Sequence, residues 1–223
     1  MPILRHDRVD AGGELGLWQI TESEEWFLDA LLLYPAELRQ LASVKGRRRV
    51  EWLAVRQLVH IMSGRERRGA FVKDEHGKPH LEQTDWHLSI SHSHELAAAI
   101  ASPRLCGIDV QYIVPKITRL APKFLNGPEA ESLEPATELD QLHVYWGAKE
   151  ALYKAHGRRQ LDFKEHILVE PFSYRQTRGQ TTARVVKDAE RLDFDVWYER
   201  SAEGYMLVWV MESNPAPFED NNH

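Results

Sequence analysis

The stretch YWGAKEALYKAHG, residues 145–157, carries two patterns at once. Val144, Ala148, Ala151, Leu152 and Ala155 recur at helical spacing and define one apolar face. Lys149, Glu150 and Lys154 lie off that face. Glu150 and Lys154 stand four residues apart with the acid first, the favoured order for an ion pair on a solvated helix. The spacing predicts a helix from about Glu138 to His156, with Thr137 and Asp140 suiting its start and Gly157 capping its end. Whether its charged border faces solvent or lines a cleft is open from this stretch alone.

Working outward, HLSIS (87–91), LAAAIA (96–101) and LCGIDVQYIV (105–114) read as short strands, with SPR as the turn between the last two. LGLWQI (15–20) is a further strand, and TESEEWFLDALLL opens a helix with a Thr21/Glu24 capping-box pattern. EWLAVRQLVHIM predicts a second helix stopped by Gly64, and the Gly-Lys-Pro of KDEHGKPHLE predicts an exposed bend. Residues 115–135 are Pro-rich with short helices. HILVEPF, TTARVV, LDFDVWYE and GYMLVWVM are strand-like. This order predicts an α+β protein of two similar halves, residues 1–104 and 105–223.

Composition narrows the partners. Hydrophobic residues make up 43% and charged residues 28%, a globular balance, and the net charge of −6 argues against a general nucleic-acid binder. The single cysteine, Cys106, rules out an internal disulfide and fits a reducing compartment, where it reads as a small buried hydrophobe. No apolar run is long enough to span a membrane, and the N-terminus lacks the pattern of a signal peptide. A cytoplasmic protein without membrane partners is the expectation.

Three constellations bear chemistry. Asp109 interrupts an apolar strand, on the same face as Gln111, and a buried carboxylate there must be paired, hydrogen-bonded or metal-bound. The preceding Gly107 admits a close approach of backbone or ligand. The alternative is an edge-strand Asp held in a turn network. KGRRR (45–49) and Arg56 stand out in an acidic chain, either as a solvated helix face or as a phosphate grip, for which guanidinium groups are suited. SISHSHE offers Ser91 and His92 as donors to an anion. His92 and His94 lack a third ligand at zinc spacing, and no nucleophile elbow, Walker A or dinucleotide fingerprint is present.

Taken together, GIDVQ followed by WGAKEALYK resembles the two signature motifs of the 4′-phosphopantetheinyl transferases, roughly G-[IV]-D and W-[STC]-x-K-E-[AS]-x-x-K. RRRVEWLAVR, GKPHL and LSISHS are similar to the additional motifs of the larger, Sfp-type members, in the same order. The resemblance covers about residues 45–157. It implies a pseudo-twofold monomer binding coenzyme A between its halves and transferring phosphopantetheine to a serine of an apo acyl or peptidyl carrier protein, with Mg²⁺. By this resemblance Asp109, Glu150 and Gln111 hold the metal, and Asp109, Glu150 and Lys154 carry the catalysis. Arg47, Arg49, Arg56, Lys78, Ser91, His92, Lys149 and Lys154 bind the cofactor's phosphates. The basic, apolar segment PKITRLAPKF (115–124) suggests carrier docking near Lys116, Arg119 and Phe124.

The sequence departs from the pattern at two positions. Gln111 stands where many members have a third acid, and Gly147 where Ser, Thr or Cys is usual. Two alternatives follow: a member that binds coenzyme A without transfer, and a Mg²⁺-dependent phosphohydrolase using the same acids.

Overall fold

The computed structural model describes residues 3–9, 12–158 and 160–213. The first half begins with an antiparallel pair, β1 (Ile3–Val9) and β2 (Gly13–Gln19). Three helices follow, α1 (Glu24–Leu31), α2 (Pro35–Ser43) and α3 (Arg48–Ser63). α1 is capped by Ser23, whose hydroxyl accepts from the Trp26 N–H at 3.3 Å. The expected Thr21 cap is therefore corrected: the backbone turns helical only after Ser23. Gly64 ends α3 in the left-handed region, φ 60°, where a side chain would be strained. A small hairpin, β3 (Phe71–Lys73) with β4 (Pro79–Leu81), carries the Gly-Lys-Pro bend, and β5 (His87–Ser93) and β6 (Leu96–Ser102) complete a sheet of order β1-β2-β6-β5.

The second half runs through β7 (Cys106–Tyr112), α4 (Ile117–Phe124), α5 (Gly127–Glu131) and α6 (Glu138–His156). It continues through β8 (Ile167–Val169), β9 (Arg178–Lys187), β10 (Glu190–Arg200) and β11 (Tyr205–Glu212). Its sheet has the order β7-β11-β10-β9-β8. Each half thus repeats one connectivity: an opening strand, helices, then a hairpin whose second strand pairs antiparallel with the opener. In the first half β6 pairs with β2, and in the second β11 pairs with β7. The α+β architecture in two halves is as the element order predicts. The expected second half extends to residue 223, and residues 214–223 lie outside those described.

Three buried clusters explain the assembly. Trp18, Phe27, Leu53, Leu58 and Ala97 pack the first half's helices on its sheet. Val144, Ala148, Ala151, Leu152 and Ala155, the apolar face of α6, pack on the second sheet with Val208 and Val210. Leu15, Ala98, Ile100, Ile108, Val110 and Trp209 fill the seam between the two sheets. Each such aliphatic side chain contributes about 1.5–3 kcal/mol when fully buried, so the seam binds the halves into one body. Gly107 is required by this packing. A Cβ there would lie 1.9 Å from the Ala151 carbonyl oxygen, so only glycine lets β7 lie directly on α6. Cys106 is buried beside it, and burial pushes its thiol up to about 12, so it behaves as a hydrophobe. Among the described residues, no helix is long and apolar enough to cross a membrane.

Candidate active site

β7 and α6 cross where Gly107 permits it, and this brings Asp109 against the last two turns of α6. Asp109 is 7% exposed, and its Oδ1 accepts from Lys154 Nζ at 2.7 Å and from Ser91 Oγ at 3.0 Å. Lys154 also donates to Ser91 Oγ at 3.1 Å and to the Ile108 carbonyl at 3.0 Å. The structure thus joins Asp109, Lys154 and Ser91 into one cluster. The ion pair of the i,i+4 pattern is not made: Lys154 pairs with Asp109 rather than with Glu150.

Glu150 is half-buried on the same helix and makes no hydrogen bond or ion pair among the described residues. Burial raises its pKa above the ordinary carboxylate value, and the nearby Asp109 charge raises it further against the pull of Lys154. An uncompensated acid beside a second acid attracts a proton or a cation.

Gln111 shares the Asp109 face, as strand alternation requires, but its amide is turned. Its Nε2 donates to the His143 carbonyl at 3.1 Å and lies 3.3 Å from Asp109 Oδ2. His143 explains the orientation. Its Nε2 accepts from the Val114 N–H at 3.0 Å, so Nδ1 carries the proton and donates to Gln111 Oε1 at 2.7 Å. Burial holds His143 below the usual histidine range, which keeps it neutral. The expected ligand oxygen of Gln111 is therefore occupied by His143, and ligation by Gln111 requires that bond to break.

Two cavities flank the cluster and share Ile90. One, of about 190 Å³, is lined by Gly77, Lys78, Ser89, Tyr153 and Lys154. The other, of about 630 Å³, is lined by Lys45, Arg48, Trp52, Arg56 and His92. Arg56 lies over the Trp52 ring, 3.1 Å from its centroid, and burial pulls its guanidinium down to about 9, with Glu37 acting the other way. His92 Nδ1 faces Glu51 Oε2 at 3.1 Å. Burial holds this ring below the ordinary histidine range, with Glu51 opposing that shift and Lys154 adding to it. Lys78 Nζ donates to the Ala155 carbonyl at 2.6 Å. A separate apolar cavity of about 270 Å³, lined by Met62, Arg65, Trp86 and His87, contains none of these groups.

Some expected cofactor residues lie elsewhere. Lys149 is fully buried on the opposite side of α6, 2.8 Å from Glu129 Oε2, and donates to the Phe163 and Ile167 carbonyls at 2.7 Å each. Arg49 is held by Glu24, with Nε 2.9 Å from Oε1, and by the Leu41 carbonyl at 2.7 Å. Arg47 donates to the His94 carbonyl at 3.0 Å and lines a different depression with Glu51 and Tyr205. Sequence reasoning passed over Glu51, Tyr153 and His143, and within the KGRRR run it did not tell Lys45 and Arg48, which line the larger cavity, from Arg47 and Arg49, which do not. The run straddles the start of α3, so neighbouring residues in it point to different sides.

The arrangement is a pair of neighbouring acids, one neutralised by lysine and the other without a partner among the described residues, next to two cavities with cationic linings: Lys154, the partner of Asp109, lines one, and His92, beside Ser91 in sequence, lines the other. Residues 105–207, which span β7 through β10 and the first three residues of β11, match the family model of the 4′-phosphopantetheinyl transferase superfamily. The match covers 103 of the 223 residues, a little under half of the chain, and is a likeness of that segment to the superfamily. Comparison with curated proteins gives no match. Transferases of this superfamily use coenzyme A and act on carrier proteins. The matched segment holds Asp109, Glu150 and Lys154, whereas Ser91, His92 and both cavities' cationic walls before Lys154 lie upstream of it. In the segment after β7, Lys116, Arg119 and Lys123 are exposed. Phe124, expected on the docking surface, is instead 1% exposed and packs edge-on against Trp146 with centroids 5.2 Å apart. The helix turns its apolar residues inward because α4 packs on α6.

Proposed function

We propose that this protein transfers the 4′-phosphopantetheine of coenzyme A to a serine hydroxyl of an apo acyl or peptidyl carrier protein and releases 3′,5′-ADP. The observation that carries this reading is the Glu150 carboxylate, without a partner among the described residues, beside Asp109, whose own partner Lys154 lines one of the two neighbouring cavities. The carrier serine oxygen attacks the β-phosphorus, the bond from that phosphorus to the oxygen of 3′,5′-ADP breaks, and the serine proton passes to Glu150. A raised pKa suits a proton acceptor of this kind. Lys154 neutralises phosphate charge, while Lys45, Arg48, Arg56 and Lys78 provide the cationic walls for the nucleotide end, with the His92 ring beside them.

The donor set fits Mg²⁺, because hard carboxylate oxygens on Asp109 and Glu150 suit an ion that takes one or two protein acids and completes its shell with water and phosphate. Among the described residues no group of three or more His, Cys, Asp or Glu side chains is placed to hold a metal, so the ion would rest on these two acids. When bound it supplies neutralisation of pyrophosphate charge. Gln111→Glu is expected to tighten Mg²⁺ several-fold in a calorimetric titration. In chelator it should melt below wild type, because the new carboxylate faces the His143 carbonyl and Asp109. Unchanged affinity would mean that residue 111 remains turned toward His143.

Carrier docking is assigned to the exposed basic residues at the start of α4 and on it, Lys116, Arg119 and Lys123, without Phe124. In a protein of net charge −6, attraction to an acidic carrier must come from such a local patch. Arg119→Glu is expected to raise the carrier KM at low salt, to lose the difference as salt rises, and to leave coenzyme A binding unchanged. Equal carrier KM values at low salt would refute the assignment. The reaction is tested by 3′,5′-ADP release. Release that depends on apo-carrier supports transfer, and carrier-independent release of free phosphopantetheine identifies a hydrolase instead.

A further inference from the structure

β7 pairs with β11 along one edge only. In an antiparallel pair alternate N–H groups point to the opposite edge, and those of Ile108, Val110 and Tyr112 are left without a strand to bind. Serine side chains of β5 take all three. The Ile108 N–H donates to Ser89 Oγ at 3.1 Å, Val110 N–H to Ser91 Oγ at 3.2 Å, and Tyr112 N–H to Ser93 Oγ at 3.1 Å. The two halves are therefore joined by a ladder of hydroxyls in place of a backbone ladder, with a rung at every second residue. A hydroxyl reaches across this gap where a peptide carbonyl does not, and alanine at a buried rung would leave an N–H unsatisfied.

The middle rung touches the acid site. Ser91 Oγ accepts from Val110 N–H and Lys154 Nζ and donates its proton to Asp109 Oδ1. A hydroxyl has one proton and two lone pairs, so Ser91 has no capacity left for a phosphate. This revises the expectation that Ser91 binds the cofactor's phosphates.

We propose that the Ser89–Ser91–Ser93 ladder is the device that registers the first half on the acid site of the second, and that Ser91 is a positioning residue for Asp109 and Lys154. The functional part rests on the transferase reading above, while the ladder itself does not. The segment that matches the superfamily begins at residue 105, so Asp109 depends on a hydroxyl that this segment does not contain.

Two measurements test this. Amide hydrogen exchange on the wild-type protein is expected to find the Ile108 and Val110 N–H groups as slow as the β11-paired amides of β7. Ser93→Ala should speed exchange at Tyr112 without affecting Val110. Fast exchange at Ile108 and Val110 in wild type overturns the ladder. Counting free Mn²⁺ by electron paramagnetic resonance, with coenzyme A present, tests the positioning role. Ser91→Ala is expected to weaken Mn²⁺ about 10–100-fold, the usual cost of losing a partner that orients a ligand. Ser91→Thr, which keeps the hydroxyl, should recover most of that loss, and Ser93→Ala should bind as wild type does. If Ser91→Ala binds Mn²⁺ as tightly as wild type but binds coenzyme A more weakly, Ser91 is a phosphate contact and the positioning role falls. A wild type with protected amides that binds no Mn²⁺ overturns the acid site and the positioning role, and leaves the ladder standing.

Discussion

Glu150→Gln is expected to lower single-turnover transfer by at least about a hundredfold, the low end of what a positioned proton acceptor contributes, while leaving the fold at least as stable as wild type at neutral pH. The two halves of this result have one cause. Glu150 is half-buried, unpartnered and beside Asp109, so its proton is held more tightly in the folded than in the unfolded protein. The folded state then binds more protons between the unfolded carboxylate pKa and the raised folded one. Stability from this site is full below the unfolded value and is lost as pH rises through that window. Glutamine carries no charge, so the variant escapes the loss. Thermal melts in chelator, from acid to neutral pH, should show the Glu150→Gln protein gaining on wild type as pH rises. A variant that melts well below wild type at neutral pH would mean that Glu150 has a structural partner after all.

Lys149→Ala, one residue away, is expected to do the reverse. Its ammonium and the Glu129 carboxylate are both fully buried, and the carboxylate is completed by the Asn126 N–H at 3.0 Å and the Val169 N–H at 3.0 Å. Removing the lysine leaves a buried charge and two carbonyls without their donor. Breaking a buried pair in this way costs about 3–5 kcal/mol. At roughly 2–4 °C per kcal/mol for a chain of this size, the melting temperature should fall by about 6–20 °C. Well below the melt, the surviving folded protein should turn over coenzyme A with near wild-type kcat. Wild-type melting combined with lost activity would show that Lys149 reaches the substrate.

These neighbours mark the boundary of what the sequence made legible. Helical spacing identified the apolar face of α6, and its extent from Glu138 to His156 follows from Gly157 and the polar start. It did not tell which of Lys149 and Glu150 lies beside Asp109, because α6 is buried on more than one side. The deciding partner of Lys149, Glu129, sits in the short helix α5. The same holds for Asp109: strand alternation placed it with Gln111, but the neutral His143 that turns the Gln111 amide comes from α6. HLSIS read correctly as a strand, which runs on to Ser93 and so places Ser89, Ser91 and Ser93 at every second position. Their purpose depends on which edge of β7 is unpaired, and that is fixed by the pairing with β11 nearly a hundred residues later. β1 went unread because four of its seven residues, Arg5 to Arg8, are charged or polar, as suits an edge strand. α2 went unread although Pro35 at its first turn and Glu37 in its capping box are ordinary start signals.

Intact mass spectrometry of an apo-carrier protein incubated with this protein, coenzyme A and Mg²⁺ tests the transferase reading most directly. The expected result is a carrier heavier by one phosphopantetheine, localised by fragmentation to a single serine, and absent with the Glu150→Gln variant. A panel of apo-carriers that all keep their original mass, while the protein binds coenzyme A, would contradict it.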